Sequence, residues 1–342
     1  DDGNALADAS ISIQAPVDMG DGSDGALTVT TSDSVINDYT WIDVTVDSGS
    51  TSIDVDDGSA FSNGDEVLII QMQDTTTDSA SNRAGRYEFA RIVSGGGTNT
   101  LTLDSGLAYD FLYYGPEIAD PSQGDIPSSG THRSSIAQVV RVPQFTDVTV
   151  QAAASITAPY WNGVRGGIVV FRATGTVDIQ GDIDVTGRGF RGGAVFNAGD
   201  RDAGCQGEGI SGWGIQSNTT TCADNRHLAN GIGGGGSAGG SNDGGDPGGG
   251  GGHATAGSDA SGSDYCSTPV GGGTIGSPDL TRVFFGGGGG GGSDSDDGGC
   301  NQNPFATDGD ASSTPNLCQR AGHGGGIVII AADTIAAANL SA

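Results

Sequence analysis

Long runs of glycine constrain the fold of this chain more than any other feature of its sequence. Glycine supplies 64 of the 342 residues, and its longest runs span residues 233–236, 248–252, 271–273 and 286–292. Glycine loses more backbone entropy on folding than any other residue. Such runs can fold as polyproline-II-like strands that pack side by side and hydrogen-bond laterally, because no Cβ holds them apart. The sequence therefore predicts a polyglycine-II bundle, and separately supported loops are the alternative.

The longest glycine run is expected to take part in this packing along its whole length. Fixing an isolated run would cost roughly 1–2 kcal/mol per residue, so hydrogen bonds to neighbouring glycine strands must offset that cost. We expect a larger residue, such as valine at position 289, to be disruptive wherever the strands lie too close for a Cβ. The expected packing residues are Gly286, Gly287, Gly288, Gly289, Gly290, Gly291 and Gly292.

The rest of the chain has the composition of an all-β protein. Good helix formers are scarce, whereas Thr, Val and Ile alternate with Asp and Ser. From residue 137 onward, short apolar segments recur with turn residues between most of them, and they span 139–142, 148–150, 156–158, 168–171, 177–179 and 183–185. This spacing predicts a parallel β-solenoid, in which each coil stacks its strand on the previous one and buries an Ile/Val ladder.

An internal repeat supports the solenoid. The segment Arg-Gly-Gly-Ile-Val-Val-Phe from Arg165 matches His-Gly-Gly-Gly-Ile-Val-Ile-Ile from His323, in register after one additional glycine. The glycine-rich stretch between them is thus bracketed by two copies of one rung. We expect it to leave the solenoid and return to it.

Residues 51–118 predict a small antiparallel β-barrel inserted into the solenoid. They contain strand-like segments at a spacing and with an apolar content typical of such barrels. The predicted division of the chain is an N-terminal strand or arm with an acidic turn at 1–25, first solenoid strands at 26–50, the inserted barrel at 51–118, the β-solenoid at 119–186, a disulfide-stapled glycine-rich subdomain at 187–326 and a returning solenoid strand at 327–342.

Residues 9–17 form a separable strand-like segment. Alternate positions are apolar, at Ala9, Ile11, Ile13, Ala15 and Val17, and the positions between them are mainly polar. One interpretation is the first strand of the domain. The other is an arm that adds a strand to the sheet edge of another subunit, donating main-chain hydrogen bonds and burying Ile11 and Ile13.

A large excess of acidic side chains limits the partners of the chain. Asp and Glu number 42 against 13 basic residues, all of them arginine, which gives a formal charge of −29 and a pI near 4.1. Nucleic acid and anionic membrane surfaces are disfavoured, because association would begin from long-range repulsion. The lack of lysine excludes Schiff-base chemistry and a P-loop. No apolar run approaches the ~18 residues of a transmembrane segment.

The glycine-rich half holds all the cysteines, which are Cys205, Cys222, Cys266, Cys300 and Cys318. This half cannot bury much apolar surface and would gain most from covalent closure, so we expect two disulfides and one remaining thiol, with the pairing open. Disulfides, and a start at Asp1 without an apolar leader, predict a mature bacterial protein whose signal peptide has been removed and which lies outside the cell or at its surface.

Acidic turns are candidate calcium sites. Short loops bring together carboxylates that could serve as hard oxygen ligands, and these are Asp18, Asp21, Asp24, Asp54, Asp56, Asp57, Asp294, Asp296 and Asp297. None of the segments completes an EF-hand, and an acidic coat suited to a salty medium is the alternative. The sequence therefore requires no cofactor, and Ca²⁺ is the candidate.

Catalytic constellations are weak in this chain. Parallel solenoids include polysaccharide lyases and hydrolases, which use clustered carboxylates, and Asp178, Asp182 and Asp184 with Arg172 nearby are the candidates. Any solvated acidic solenoid would show the same alternation. No Gly-x-Ser-x-Gly elbow is present, and the four histidines are far apart in sequence. We therefore predict no enzymatic activity.

Several phrases resemble a group of glycine-rich secreted bacterial proteins. They are Gly-Asp-Gly-Ser-Asp-Gly-Ala-Leu-Thr-Val from Gly20, Gly-Asp-Glu-Val-Leu-Ile-Ile-Gln-Met-Gln from Gly64, Tyr-Glu-Phe-Ala-Arg-Ile from Tyr87 and Gly-Gly-Ile-Val-Val-Phe-Arg-Ala from Gly166. The resemblance covers most of residues 18–192 and the 323–342 repeat, and it implies an extracellular or surface protein of unassigned activity. The glycine-rich half is similar in composition to the poly-glycine adhesin tips of bacteriophage tail fibres.

These features predict an extracellular structural protein, the subunit of a self-assembling filament or surface layer, whose main partner is itself. A solenoid leaves a sheet edge open at each end, and β-strand addition is the expected joint. The first alternative is a monomeric adhesin or carbohydrate-binding surface protein with a glycan ligand. The second is a polysaccharide lyase or hydrolase on a β-helix.

Overall fold

The fold was analysed in a computed structural model of the chain. The structure describes residues 18–76, 81–114, 134–193, 195–196, 203–212, 214, 227–230, 232–238, 247–261, 268–276, 278–292 and 321–337. Within these ranges the regular secondary structure is β-strand throughout, and no helix is present that could span a membrane. The all-β prediction is therefore confirmed for the described part of the chain.

The strands vary in length from two residues to twelve. They are β1 (Gly25–Val29), β2 (Ser34–Val35), β3 (Tyr39–Trp41), β4 (Ser52–Asp54), β5 (Glu66–Gln73), β6 (Tyr87–Ser94), β7 (Thr100–Leu103), β8 (Ile136–Val142), β9 (Gln144–Val150), β10 (Ser155–Thr157), β11 (Ile168–Ile179), β12 (Asp182–Ile183), β13 (Val195–Phe196), β14 (Ala203–Gly204) and β15 (Ile327–Ala337). β13 and β14 form a short antiparallel pair of their own.

Four parallel strands form the first sheet, in the order β1-β9-β11-β15. β11 pairs with β15 from Ile168 opposite Ile327 to Ile179 opposite Ala337. The two copies of the internal repeat are therefore direct neighbours in register. The intervening glycine-rich stretch leaves the sheet after one copy and returns beside it.

A second, smaller parallel sheet follows the order of the first. It runs β12-β10-β2, and these strands follow β11, β9 and β1 along the chain. Three segments of chain thus each contribute one strand to both sheets, and apolar residues from both, including Val148, Ile156 and Val177, form one core. The described residues therefore contain two parallel sheets that share one core.

Six antiparallel strands form the third large sheet, in the order β3-β8-β5-β6-β7-β4. It curls around an apolar core that includes Ile69 and Phe111. Its other face contributes to a second core with Trp161 and Phe285. All eight residues of β5 are buried, because β5 lies between these two cores.

The sequence interpretation of residues 139–142 as a solenoid rung is wrong. These residues belong to β8, which pairs antiparallel with β3 and β5. Their alternation of apolar residues is the same in either kind of sheet, so periodicity could not distinguish them. The antiparallel sheet also includes β3 and β8, which lie outside the barrel predicted at 51–118.

The glycine run 286–292 lies within an array of segments that do not form regular strands. Six successive N–H groups of the run donate to neighbouring segments over N···O distances of 2.8–3.0 Å, and the same neighbour returns every third residue. The donor and acceptor pairs are Gly286 to Gly325, Gly287 to Gly252, Gly288 to Glu208, Gly289 to Gly322, Gly290 to Gly249 and Gly291 to Cys205.

Carbonyl groups of the same run accept hydrogen bonds from two further segments. The donors are Phe190 and Gly193 in one segment and Gly235 and Ala238 in the other, again three residues apart. Five segments thus surround the run. A spacing of three is the number of residues per turn in the polyproline-II helix, and here it satisfies backbone groups without help from side chains.

Backbone atoms occupy the space that side chains would need at several positions of the run. A Cβ on Gly287, Gly288 or Gly290 would overlap the carbonyl oxygen of Gly233, Arg191 or Gly236. A Cβ on Gly289 would meet the Cβ of Ala321 at 3.3 Å, so position 289 is less constrained than its neighbours. Space for a side chain is therefore smaller at Gly287, Gly288 and Gly290 than at Gly289, the position chosen from the sequence.

A buried ion pair joins the glycine array to the antiparallel sheet. Glu208 accepts hydrogen bonds from Arg191 Nε at 2.9 Å, Trp161 Nε1 at 3.1 Å and Gln73 Nε2 at 2.8 Å. Both charged side chains are at most 3% exposed. Burial raises the pKa of Glu208, but the charge and hydrogen bonds of Arg191 outweigh it, and the pKa lies below its ordinary value.

We expect Gly290→Ala to lower the melting temperature sharply, because its Cβ would overlap the Gly236 carbonyl oxygen in the packed array. Gly325→Ala is the matched control, since a Cβ at Gly325 meets no atom within 4 Å. The control should be neutral, or stabilising by about 0.4–1 kcal/mol through the unfolded state. Thermal unfolding of both variants beside the wild type measures this. Equal melting temperatures for the two variants would contradict close packing at position 290.

We expect Glu208→Gln to destabilise the fold by about 3–5 kcal/mol, because it removes the buried negative charge that pairs with the Arg191 guanidinium. The stabilisation from Glu208 is complete above its unfolded pKa and is lost as the pH falls through its lower folded pKa. Urea unfolding at pH 7 and at pH 3 should therefore show the largest gap between wild type and variant at pH 7. A gap that stays equal at both pH values would rule out this role for Glu208.

Candidate assembly interface

β15 is an edge strand with one open side. It pairs with β11, and no strand among the described residues pairs with its other side. Ile327 N donates to Gly167 O at 2.9 Å on the inner side. Since backbone groups alternate in direction along a strand, Val328 and Ile330 direct their N–H groups to the open side. β1 is the other edge of the same sheet.

An apolar ladder crosses the parallel sheet and ends uncovered at β15. Leu27, Val148, Val177 and Ile335 occupy matching positions in the four strands. Val148 and Val177 are fully buried, whereas Ile335 is 48% exposed. Terminal units of stacked-repeat proteins normally carry a polar outer face for solubility. At Ile335 and at Val328, which is also exposed, β15 presents apolar side chains instead.

The sequence of β15 lacks the usual protection of an edge strand. Its eleven residues, IVIIAADTIAA, contain one charged residue, Asp333, and neither lysine nor proline. Natural edge strands avoid unwanted pairing by means of charges, prolines, bulges or short length. A long apolar edge of this kind is a site for association with another strand.

An apolar groove of about 480 Å³ lies beside the first residues of β15. Its apolar walls include Ile275, Leu280, Phe284, Ile327 and Val328. Leu280 is 62% exposed and has a φ of +56°, in the left-handed region that leucine rarely adopts. Tyr87 Oη donates a hydrogen bond to the Leu280 carbonyl at 3.1 Å, which ties this turn to β6.

A second cleft of about 430 Å³ lies on another part of the surface, and its lining combines charged, amide and aromatic side chains with apolar ones. Tyr160, Asn162, Arg165, Asp38 and Asp57 are among its lining residues. The Arg165 guanidinium lies 5.5 Å from the centroid of Trp41, while Nη1 donates to the Tyr39 carbonyl at 3.2 Å. Hydrogen bonds from Ser59 lower the pKa of Asp57, so its carboxylate is ionised at neutral pH.

The acidic turn before β1 is held by arginines. Asp24 accepts from Arg141 at 2.6 Å and Asp21 from Arg91 at 3.2 Å. Hydrogen bonds from Ser23, and then the charge of Arg91, lower the pKa of Asp21. These carboxylates, which were candidate calcium ligands, therefore already have cationic partners. The arginines lie on strands of the antiparallel sheet, so sequence spacing gave no sign of the pairing.

The other calcium candidates are dispersed. Asp54 accepts from Thr100 Oγ1 at 2.7 Å, and Asp57 lines the cleft beside Arg165. Within the described ranges, no group of three or more Asp, Glu, His or Cys side chains could hold a metal ion. Asp294, Asp296 and Asp297 lie outside the described residues, so calcium binding there stays a prediction.

The candidate catalytic residues do not form a cluster. Arg172 pairs with Glu66 at 2.7 Å and packs over Phe89. Asp178 accepts from Gln180, and Asp184 accepts from the backbone of Thr186, which lowers its pKa. The contacts of Asp178 and Asp184 are local in sequence, whereas Arg172 pairs with a residue of β5, 106 positions away. The prediction that the protein is not an enzyme is untested by them and stays a prediction.

Several predicted site residues lie outside the described part of the chain. They are the arm residues Ala9, Ile11, Ile13, Ala15 and Val17, and four of the five cysteines, Cys222, Cys266, Cys300 and Cys318. Cys205 is buried, and its carbonyl takes part in the glycine array.

The residues of the groove and the cleft were missed by sequence reasoning. The one available signal was the apolar segment Leu280 to Phe285 within an otherwise glycine-rich region.

The solved structures to which this chain is similar are bacteriophage tailspikes, and the similarity is weak. No family model and no curated protein matches the chain. Among solved structures, the tailspike Gp54 of Acinetobacter baumannii bacteriophage AP22, in complex with A. baumannii capsular saccharide, is 16% identical with a TM-score of 0.23, over 46% of this chain and 27% of that one. The tailspike gp61 of Pseudomonas phage phi297 is 16% identical with a TM-score of 0.22, over 45% and 22%.

The tailspike gp49 of Pseudomonas phage LKA1 is 12% identical with a TM-score of 0.21, over 45% of this chain and 29% of that one. This chain therefore spans less than a third of each tailspike. At these TM-scores the similarity supports no conclusion about function.

Proposed function

We propose that this protein is the subunit of an extracellular filament or surface layer, in which copies stack end to end through their parallel sheets. The observation that carries the proposal is the apolar ladder that is buried at Val148 and Val177 but exposed at Ile335, on a strand whose outer side pairs with no strand of the described residues. A second copy that supplies the next strand would satisfy the open backbone groups and cover the exposed apolar side chains.

The position of the two open edges favours a filament. β1 and β15 lie at opposite ends of one sheet and run in the same direction. If the leading edge of one copy meets the trailing edge of the next, the parallel order simply continues. Contacts between unlike surfaces of this kind extend without limit unless the rotation closes a ring.

The scaffold has a mechanical role in this proposal. The stacked coils would form a parallel β-solenoid, and the array around 286–292 would be a polyglycine-II bundle that is stapled by disulfides. We propose a bacterial, extracellular location without an enzymatic activity or a required cofactor, and Asp294, Asp296 and Asp297 stay the candidate ligands of a calcium ion. The many lateral hydrogen bonds of the array favour rigidity.

A charge at the exposed end of the ladder should prevent stacking. We expect Ile335→Lys to stay monomeric at concentrations at which the wild type forms fibres or sheets, because stacking would bury an unpaired charge. Val93→Lys is the matched control, since Val93 is also about half exposed, at 52%, but lies on the antiparallel sheet. Electron microscopy and sedimentation measure assembly, and the melting temperature reports the fold. A monomeric wild type, or fibres of Ile335→Lys, would count against the proposal.

Glycan binding is a second candidate function, favoured by the cleft that Tyr160 and Arg165 line. Carboxylates of Asp38 and Asp57, the amide of Asn162 and the guanidinium of Arg165 can exchange hydrogen bonds with sugar hydroxyls, and Tyr160 offers an aromatic ring. The two carboxylates disfavour polyanionic ligands. The cleft therefore suits a neutral oligosaccharide.

We expect the wild type to bind members of a panel of neutral oligosaccharides, and Tyr160→Ala to weaken binding about tenfold through lost ring contacts. Tyr109→Ala serves as the control, because Tyr109 is exposed at 39% and does not line the cleft. Calorimetric titration measures the affinities. If the affinity of Tyr160→Ala equals that of the wild type, or if the wild type binds no oligosaccharide of the panel, the cleft is not a glycan site.

A further inference from the structure

We infer that the groove between Leu280 and β15 receives residues 9–17 of a second copy of the chain. The inference rests on the proposed end-to-end assembly and names the segment that makes the joint. Four properties of the chain support it: the chemistry of the groove, its position beside the open edge, the pattern of residues 9–17 and their reach.

The groove is suited to apolar side chains. Ile275, Phe284 and Ile327 belong to the apolar core beneath it or pack against that core. Arg282 also lines the groove, but its Nη1 donates to the Asn82 carbonyl at 2.7 Å, which gives one of its guanidinium donors an internal partner. Leu280 is the most exposed of the large apolar residues in the described part of the chain. A partner that buried Leu280 would close the groove.

The groove and the open edge form one continuous surface. Ile327 and Val328 line the groove and are also the first residues of β15. A strand that pairs with β15 directs alternate side chains to one face of the sheet. One extended segment can therefore pair with the edge and fill the groove at the same time.

Residues 9–17 have the pattern that this surface requires. Their apolar residues fall on one face, at Ala9, Ile11, Ile13, Ala15 and Val17, and Ser10, Ser12 and Gln14 fall on the other. Nine residues of extended strand span about 30 Å, which is enough to pair with the first residues of β15 and to extend along the groove beside Ile327 and Val328. The apolar face would enter the groove and leave the serines outside.

The point at which the arm leaves the fold also allows this contact. Asp24 is fixed by Arg141, and its N–H donates to the Gln144 carbonyl at 2.8 Å, directly before β1. Residues 9–17 directly precede Asp18, and when extended they span roughly 30 Å. In the proposed stack, β15 of the next copy lies about one strand spacing, ~4.8 Å, from β1. The register of the sheet matches Gly25–Val29 to Ala332–Ala337, so Ile327–Ala331 stay open to the arm. The arm is therefore long enough to reach the groove of its neighbour.

Two full-length variants separate the donor from the acceptor. Ile13→Asp places a charge on the apolar face of the arm, and Leu280→Asp places one in the groove. We expect each variant to stay monomeric at concentrations at which the wild type is assembled. Ser12→Asp and Leu228→Asp are the controls, because Ser12 lies on the other face of the arm and Leu228 is an exposed leucine outside the groove. Both controls should assemble like the wild type, and melting temperatures should be similar throughout.

Mixing the two monomeric variants provides the decisive test. Ile13→Asp keeps an intact groove and Leu280→Asp keeps an intact arm, so an equimolar mixture should form one-to-one dimers that sedimentation detects. If the mixture stays monomeric, the arm does not bind a second copy, and the inference is overturned. If both variants still assemble alone, the inference fails while the proposed assembly stands. A wild type that never assembles overturns the proposed function itself.

Discussion

The need to satisfy backbone hydrogen-bonding groups is the constraint on which both halves of this structure depend. In the parallel sheets, the inner strands β9, β11 and β10 meet this need by pairing with a strand on each side. In the glycine array, the run 286–292 meets it through five neighbouring segments at a spacing of three residues. Among the described residues, no strand pairs with the outer side of β15, so its outward backbone groups lack a neighbouring strand. The proposed assembly continues the same interaction between molecules.

The buried Glu208–Arg191 pair and its hydrogen bonds connect the glycine array to the antiparallel sheet. Glu208 belongs to the glycine array through its carbonyl, which accepts from Gly288. Its side chain reaches Gln73 on β5 and Trp161 beside the parallel sheet. Trp161 packs in turn against Phe190 and Phe285, with ring centroids 6.3 and 5.5 Å away. Because Phe285 directly precedes the glycine run, this cluster also positions the turn at Leu280.

The groove and the edge strand therefore come from distant parts of the chain. Leu280 is placed by the glycine array and by Tyr87 on β6, while Val328 is placed by the pairing of β15 with β11. The two edges of the sheet are unlike, because they are formed by β1 and β15 and the groove lies beside β15. An asymmetric pair of edges suits head-to-tail assembly better than a symmetric dimer.

The sequence by itself determined the all-β class, the stacking of the two repeat copies and the need for backbone pairing in the glycine runs. These follow from local properties: strand propensity, the match between residues 165 and 323 onward, and the absence of side chains. Tertiary structure alone decided that 139–142 join an antiparallel sheet, that Asp21 and Asp24 face arginines, and that Gly290 is more confined than Gly289. Each depends on which distant segments become neighbours, and alternation and spacing along one chain carry no information about that choice.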